Sequence, residues 1–215
     1  MKDIILFDLD GTLTDPMEGI TKSFQYALES FGIKVENPDE LLKIIGPPIR
    51  TSFKEFYGFD DINVEKAVEK YRERFVTKGI FENIMYDGID TMLEKLTNAG
   101  KTLILATSKY NEYAKTILSY FKLDKYFTFV SGSELNGDRS EKNEVIQYAL
   151  EQNNIQDLSR CIMVGDRKYD IIGAKTVGIQ SVGVLYGYGG YDELFEANAD
   201  YIVKNVDELL NLLCK

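Results

Sequence analysis

Ile4-Ile5-Leu6-Phe7-Asp8-Leu9-Asp10-Gly11-Thr12-Leu13-Thr14 is the stretch whose reading decides the fold. Four apolar residues run without a break into two closely spaced aspartates. A short continuous apolar run suits a strand buried on both faces, as in the middle of a parallel sheet. The two-residue period of a strand puts Asp8 and Asp10 on one side of the extended chain, at its carboxyl end. In open α/β sheets that edge is where ligands bind. Two carboxylates so close repel each other unless a cation or a shared proton relieves them. Mg²⁺ suits that role, because it takes oxygen ligands and keeps water and phosphate in its shell. Gly11 then permits a sharp exit from the strand. Taken alone, the same residues also read as a strand followed by an Asp-Gly turn, so the rest of the chain has to decide.

Beyond Thr14 the apolar spacing changes to threes and fours. Met17, Ile20, Phe24, Ala27, Leu28 and Phe31 mark a helix that Gly32 stops. Asn37-Pro38 reads as a cap and first helical residue. Gly46-Pro47-Pro48 is a break, Ile49 to Tyr57 a short helix, and Asn63 the expected cap of the next one. Residues 15–82 therefore read as an all-helical insertion, with 1–14 and 83–215 as the α/β core. In that core, apolar strands at Thr102–Thr107, Phe127–Val130, Cys161–Val164, Gln180–Val184 and Tyr201–Val203 alternate with helical stretches. Such alternation predicts a Rossmann-like parallel sheet flanked by helices and joined by right-handed crossovers.

The composition narrows the function. The 215 residues are 44% hydrophobic and 28% charged, as expected for a globular chain, with a formal charge of −10. That charge argues against a nucleic-acid polymer or an anionic membrane as the partner. No apolar run approaches membrane-spanning length, and the first strand begins too early to leave room for a signal peptide. The two cysteines, Cys161 and Cys214, suggest no disulfide framework, so a cytoplasmic setting is expected. There is no histidine. Proton transfer must therefore fall to a carboxylate, lysine, tyrosine or cysteine.

Polar residues follow the apolar runs in a set order. After Asp8 and Asp10 come Thr107 and Ser108, then Lys142 in a loop, then Asp166 with Asp170. Adjacent parallel strands would gather these at one crevice. Carboxylates for a metal, a hydroxyl, free amides and a lysine together suit a phosphoryl group. Gly187-Tyr188-Gly189-Gly190 lacks the strand-to-helix context of a phosphate-binding loop and reads as a plain loop.

Asp8-Leu9-Asp10-Gly11-Thr12, Thr107, Lys142 and Gly165-Asp166-Arg167-Lys168-Tyr169-Asp170 together resemble the haloacid dehalogenase superfamily, over nearly the whole chain. The closest likeness is to its phosphoglycolate phosphatase and 5′-nucleotidase group, and the helical insertion is similar to that family's class 1 cap. The resemblance implies a phosphomonoester hydrolase for a small phosphorylated metabolite. Asp8 would be the nucleophile and Asp10 the general acid and base. Asp8, the Asp10 backbone carbonyl and Asp166 would ligate Mg²⁺, with Asp170 behind them. Thr107, Ser108 and Lys142 would hold the phosphoryl group. Lys142 is followed by Asn143 where the family often has proline. The second aspartate disfavours the dehalogenase branch, and the lack of histidine disfavours a phosphoglucomutase-type phosphotransferase. That activity and pyrophosphatase are the alternatives. In the insertion, Arg50 follows the stiff Pro47-Pro48 pair and is the candidate for substrate choice, with Glu18 and Lys109 flanking the crevice. A monomer or a homodimer is expected.

Overall fold

The computed structural model describes residues 2–214. The opening apolar run forms β1 (Ile4–Phe7), buried at every position. A tight turn follows, in which the Leu13 and Thr14 amides both donate to the Leu9 carbonyl, at 2.9 and 3.1 Å. It ends in β2 (Thr14–Asp15). The chain forms two compact units: Met1–Asp15 with Met85–Lys215, and Pro16–Ile84.

The unit Pro16–Ile84 is helical. It contains α1 (Met17–Glu29), a 3₁₀ turn (Pro38–Ile44), α2 (Ile49–Tyr57), α3 (Asp61–Arg74) and a π turn (Phe75–Gly79). Its centre is aromatic: Phe24 of α1 stacks on Phe53 of α2, ring centroids 4.1 Å apart, and Phe53 stacks in turn on Phe59. Asn37 caps the 3₁₀ turn by accepting the Asp39 amide at 3.0 Å. The cap of α3 is Asp60 rather than Asn63; its carboxylate accepts the Asn63 amide at 2.8 Å. Asp and Asn cap almost equally well, so the pattern alone could not choose between residues three apart.

β3 (Ile84–Met85) spans the boundary, and the other unit continues with α4 (Ile89–Asn98), followed by β4 (Thr102–Tyr110) and α5 (Asn111–Tyr120). Next come β5 (Phe127–Ser133), α6 (Lys142–Gln152), β6 (Cys161–Gly165) and α7 (Lys168–Val177). The chain closes with β7 (Gln180–Val184), α8 (Tyr191–Glu196), β8 (Tyr201–Val203) and α9 (Val206–Leu213). The order β5-β4-β1-β6-β7-β8 forms one sheet with every neighbouring pair parallel. This is the Rossmann-like α/β core expected from the alternation. From β1 the chain builds outward through β4 and β5, then crosses back to build β6, β7 and β8 on the other side. The switch of direction falls at β1, where α/β sheets open a crevice.

Alternate residues of β1 serve opposite faces. Ile4 and Leu6 join Ile104, Ala106 and Met163 in a core completed by Val145, Ile146 and Ala149 of α6 and Ala174 of α7. Phe7 faces the other way, its ring edge-on to Phe127 at 6.3 Å. Among the described residues no helix is long and apolar enough to cross a membrane.

The packing of α6 on α7 fixes the position of Lys142, the residue at which α6 begins. Gly173 of α7 lies so close that a Cβ there would fall 2.8 Å from Lys142 Cβ and Cγ, and 3.0 Å from the Asn143 amide. Gly173→Ala should therefore destabilise the protein by about 1–3 kcal/mol through overpacking. The gain of about 1 kcal/mol in helix propensity acts in the other direction. Urea denaturation measures the balance, and an alanine variant as stable as the parent would show that α6 and α7 can part without cost.

Candidate active site

Strand register assembles the site. Phe7 lies beside Leu105 on one side and Val164 on the other. Asp8 is one residue past that level, and Thr107 and Asp166 are two past it. The Asp8 amide still donates to the Val164 carbonyl, at 2.9 Å, which fixes where its side chain starts. Gly11 turns the chain back with φ +82°, in the left-handed region that glycine favours, and a Cβ there would lie 2.2 Å from Asp166 Oδ2.

The carboxylates of Asp8, Asp166 and Asp170 converge, with one ligand atom from each lying within 4.8 Å of the others. Their exposures are 4%, 0% and 1%. Lys142, itself 4% exposed, sits against two of them, Nζ being 2.7 Å from Asp8 Oδ1 and 2.8 Å from Asp170 Oδ1. The same ammonium donates to the Ala106 carbonyl at 3.2 Å, which places it beside Thr107. Lys142 is thus the first residue of α6, not a loop residue, and it is buried rather than solvated. Asp170 occupies the first turn of α7, where its Oδ2 accepts the Arg167 amide at 3.0 Å. Asp166 meets only neutral donors among the described residues: the Tyr188 amide at 2.8 Å and, at 3.4 Å, the Thr12 hydroxyl. The guanidinium of the next residue, Arg167, faces Glu193 at 2.8 Å.

Asp10 stands apart from this cluster. Its Oδ2 is 2.6 Å from Lys109 Nζ, while its Oδ1 is buried with no hydrogen-bond partner. The Lys109 amide donates to Thr107 Oγ1 at 3.3 Å. Thr107 is buried and Ser108 half-buried. Between Ala106 and Tyr110 the register of β4 with β5 is irregular, so this segment departs from the regular ladder just at the site.

Buried charge leaves its mark on proton affinities. Burial pushes the Asp166 carboxyl well above its usual range, and the charges of Asp170 and Asp8 push it further. Asp170 rises to about 6, through burial opposed by Lys142 and reinforced by Asp8. Burial also raises Asp10, against the pull of Lys109. Lys142 moves up although burial opposes its charge, because Asp170 and Asp8 outweigh that cost. One ammonium touches two of the three carboxylates, so with all three ionised the cluster would carry two uncompensated negative charges. A divalent cation balances that excess, and all-oxygen donors suit a hard ion.

Two expected participants, both in the helical unit, are engaged with partners of their own. Arg50 is in the first turn of α2, in the helical unit, where it grips Glu65 through two bonds of 2.6 and 2.8 Å. Glu18 pairs with Lys22 on α1. One contributor is not expected from the motifs: the loop after β7. Besides the Tyr188 amide on Asp166, the Tyr186 hydroxyl donates to the Thr12 carbonyl at 3.1 Å, and the Tyr188 hydroxyl donates to Asp15. The rule that draws attention to Thr107 and Asp166, polar residues after a buried strand, applies equally to the end of β7 and would have found it.

The chain is similar to known proteins over most of its length. A family model described as haloacid dehalogenase-like hydrolase matches residues 5–184. A 5′-nucleotidase of Pseudomonas aeruginosa is 46% identical over 88% of this chain and 86% of its own. A tyrosine-protein kinase, PtkA, of Mycobacterium tuberculosis is 36% identical over 98% of this chain and 72% of its own. The crystal structure of a predicted phosphatase from Clostridium acetobutylicum superposes with a TM-score of 0.97 at 49% identity, covering 99% of this chain and 98% of that one.

The charge excess makes a prediction about pH. Carboxyls whose folded pKa exceeds the unfolded value stabilise the fold while protonated, below about pH 4, and lose that contribution as pH rises through the folded pKa. For Asp170 the loss runs from about pH 4 to about pH 6 and is complete above that. The cation-free protein should therefore draw less stability from this cluster at pH 7.5 than at pH 5, and Mg²⁺ should restore it by taking the place of the protons. Thermal melts in EDTA and in Mg²⁺ at both pH values test this. A Mg²⁺-induced rise in Tm no larger at pH 7.5 than at pH 5 would contradict it.

Proposed function

Since the chain belongs to the haloacid dehalogenase-like hydrolases, a family of enzymes, and is a phosphatase of that family, we propose that it is a Mg²⁺-dependent phosphomonoesterase. The proposed substrate is a small phosphorylated metabolite, a nucleoside 5′-monophosphate or phosphoglycolate, and the route passes through an aspartyl-phosphate. The observation that carries the reading is the buried Asp8–Asp166–Asp170 cluster with Lys142 as its contacting ammonium.

The nucleophile is Asp8. One of its oxygens attacks phosphorus, forming an O–P bond as the bond to the ester oxygen breaks. Lys142 holds Asp8 in place from 2.7 Å and lies beside the Thr107 segment. Thr107, the Ser108 backbone and Lys142 bind the transferring oxygens. Asp10, raised by burial, can carry a proton to the leaving oxygen. Once the alcohol has left, Asp10 takes a proton from water, and that water's oxygen attacks phosphorus and frees Asp8. The absence of histidine is no obstacle, since both roles fall to carboxylates.

Asp8, the Asp10 backbone carbonyl and Asp166 would hold the Mg²⁺, with Asp170, tied down by Lys142 and the Arg167 amide, supporting them. When bound, the ion neutralises charge on the phosphoryl oxygens and on the carboxylate cluster. The 46% identical 5′-nucleotidase favours a nucleoside monophosphate as the first substrate to try. The relative named as a tyrosine kinase favours a second reading, in which an acceptor hydroxyl replaces water. Arg50 as a determinant of substrate choice belongs to this proposal too; it would have to exchange Glu65 for the substrate.

Purified protein with Mg²⁺ should release phosphate from at least one member of a panel of nucleoside monophosphates, phosphoglycolate, sugar phosphates and pyrophosphate. Asp8→Asn should lower the rate by about a thousandfold or more, since no other group in the site replaces the nucleophile. Asp10→Asn should lower it by about 10²–10⁴-fold. Undiminished turnover by Asp8→Asn would exclude the covalent route. Phosphorylated products formed when alcohols are added would point to the phosphotransferase instead.

A further inference from the structure

The loop after β7 is rich in glycine, with Gly187, Gly189 and Gly190 around Tyr188, and glycine gives a loop more conformations to lose than any other residue. Yet this loop delivers a backbone amide to Asp166 at 2.8 Å. Something has to hold it there. The Tyr188 side chain does so from the other end of the same residue, its hydroxyl donating to Asp15 Oδ1. Two neighbours reinforce the placement. The Tyr186 hydroxyl donates to the Thr12 carbonyl at 3.1 Å, and the Thr12 hydroxyl reaches Asp166 Oδ1 at 3.4 Å. Gly187 is pressed so tightly that a Cβ would sit 2.3 Å from the Gly11 carbonyl oxygen and 2.4 Å from Asp166 Cβ.

We infer that Tyr188 is a positioning residue for the cation-holding carboxylate Asp166, locking the turn that carries Gly11 to Asp15 and the end of β6 at a fixed separation through the Tyr188–Asp15 hydrogen bond. The inference rests on the proposed reading of the carboxylate cluster as a divalent-cation site. The chemistry of the donors fits the task. A lysine or arginine on Asp166 would neutralise the charge that attracts the ion. A peptide amide orients the carboxylate while leaving its charge for the metal, and groups that orient metal ligands in this way set metal affinity. Tyr188 touches neither phosphorus nor the leaving group in the proposed reaction, so its effect should appear in cation binding rather than in the chemical step.

The test is calorimetric titration of Mg²⁺ into EDTA-treated, dialysed protein, with the Mg²⁺ dependence of phosphate release as a second readout. Tyr188→Phe keeps the ring and the backbone amide but loses the hydroxyl. It should raise the Mg²⁺ dissociation constant by about tenfold, with the Mg²⁺ concentration for half-maximal activity rising by the same factor. Asp15→Ala should do the same, and Asp15→Asn, which keeps an acceptor oxygen, should recover most of the affinity. The double variant Tyr188→Phe/Asp15→Ala should be no worse than either single one, because one interaction is lost only once. Tyr126→Phe removes another tyrosine–aspartate bond, to Asp90 at 2.8 Å, and should leave Mg²⁺ affinity unchanged. If the parent binds Mg²⁺ and Tyr188→Phe binds it equally well, even with a lower Tm, Tyr188 is only a structural contact and the inference is overturned. An equal loss in Tyr126→Phe would overturn it too. If the parent itself binds no divalent cation, the cation reading has failed first and this inference goes with it.

Discussion

Three carboxylates share a buried space with one ammonium in contact, and the fold cannot leave that imbalance unanswered. An uncompensated charge inside a protein costs several kcal/mol even after relaxation, while a whole domain is stable by only about 5–15 kcal/mol. Two such charges would consume much of that margin. Protons can relieve them, which is what the raised Asp166 and Asp170 carboxyls express. A divalent cation would relieve them at neutral pH without silencing the proposed nucleophile, Asp8. The gathering of Asp8, Asp166 and Asp170 is therefore a standing demand for positive charge, and in the proposed reaction a phosphoryl group would be received there only once that demand had been met.

The sheet is what forces the groups together. β1 lies between β4 and β6, and the register that sets Phe7 beside Leu105 and Val164 carries Asp8, Thr107 and Asp166 to one edge within two residues of that level. The helices complete the arrangement from one side. Lys142 opens α6 and Asp170 lies in the first turn of α7, so both helices direct the positive ends of their dipoles toward the crevice. α6 and α7 can approach closely because Gly173 has no side chain where Lys142 passes.

Most of this was legible in the sequence, and the parts that were not share a cause. The apolar run into Asp8 and Asp10, and its echo in Cys161 to Asp166, announce strand ends because burial on both faces leaves no room for polar alternation. Lys142 was legible as a charge but not as a buried one: Arg139-Ser140-Glu141-Lys142 looks solvated, and only packing on Gly173 takes it out of water. The exchange of Asn63 for Asp60 as a cap is a local degeneracy between two good acceptors. Arg50 and Glu65 find each other across two helices, and no single-helix pattern reports such a pair. The roles of Lys109 and of the Tyr186–Tyr188 loop depend on partners far away in sequence, Asp10 for one and Thr12, Asp15 and Asp166 for the other. Local periodicity says where a strand ends; it does not say which distant turn folds back onto that end.

Asp8 and Asp10 are two residues apart and chemically identical, yet the proposed reaction asks opposite things of them: one must stay bare to attack, the other must carry a proton and give it up. Enzymes separate such roles through surroundings, and here two lysines divide the work. Lys142 faces Asp8 and shares itself with Asp170 and the Ala106 carbonyl, so the proposed nucleophile stands in a field of several charges that a cation would complete. Lys109 faces Asp10, whose second oxygen is buried and without a partner. A buried carboxylate with one oxygen paired and the other unanswered gains by taking a proton on the orphaned side. In the proposed reaction it is the geometry of that single oxygen, rather than any feature of the residue type, that would make position 10 the proton carrier and position 8 the nucleophile.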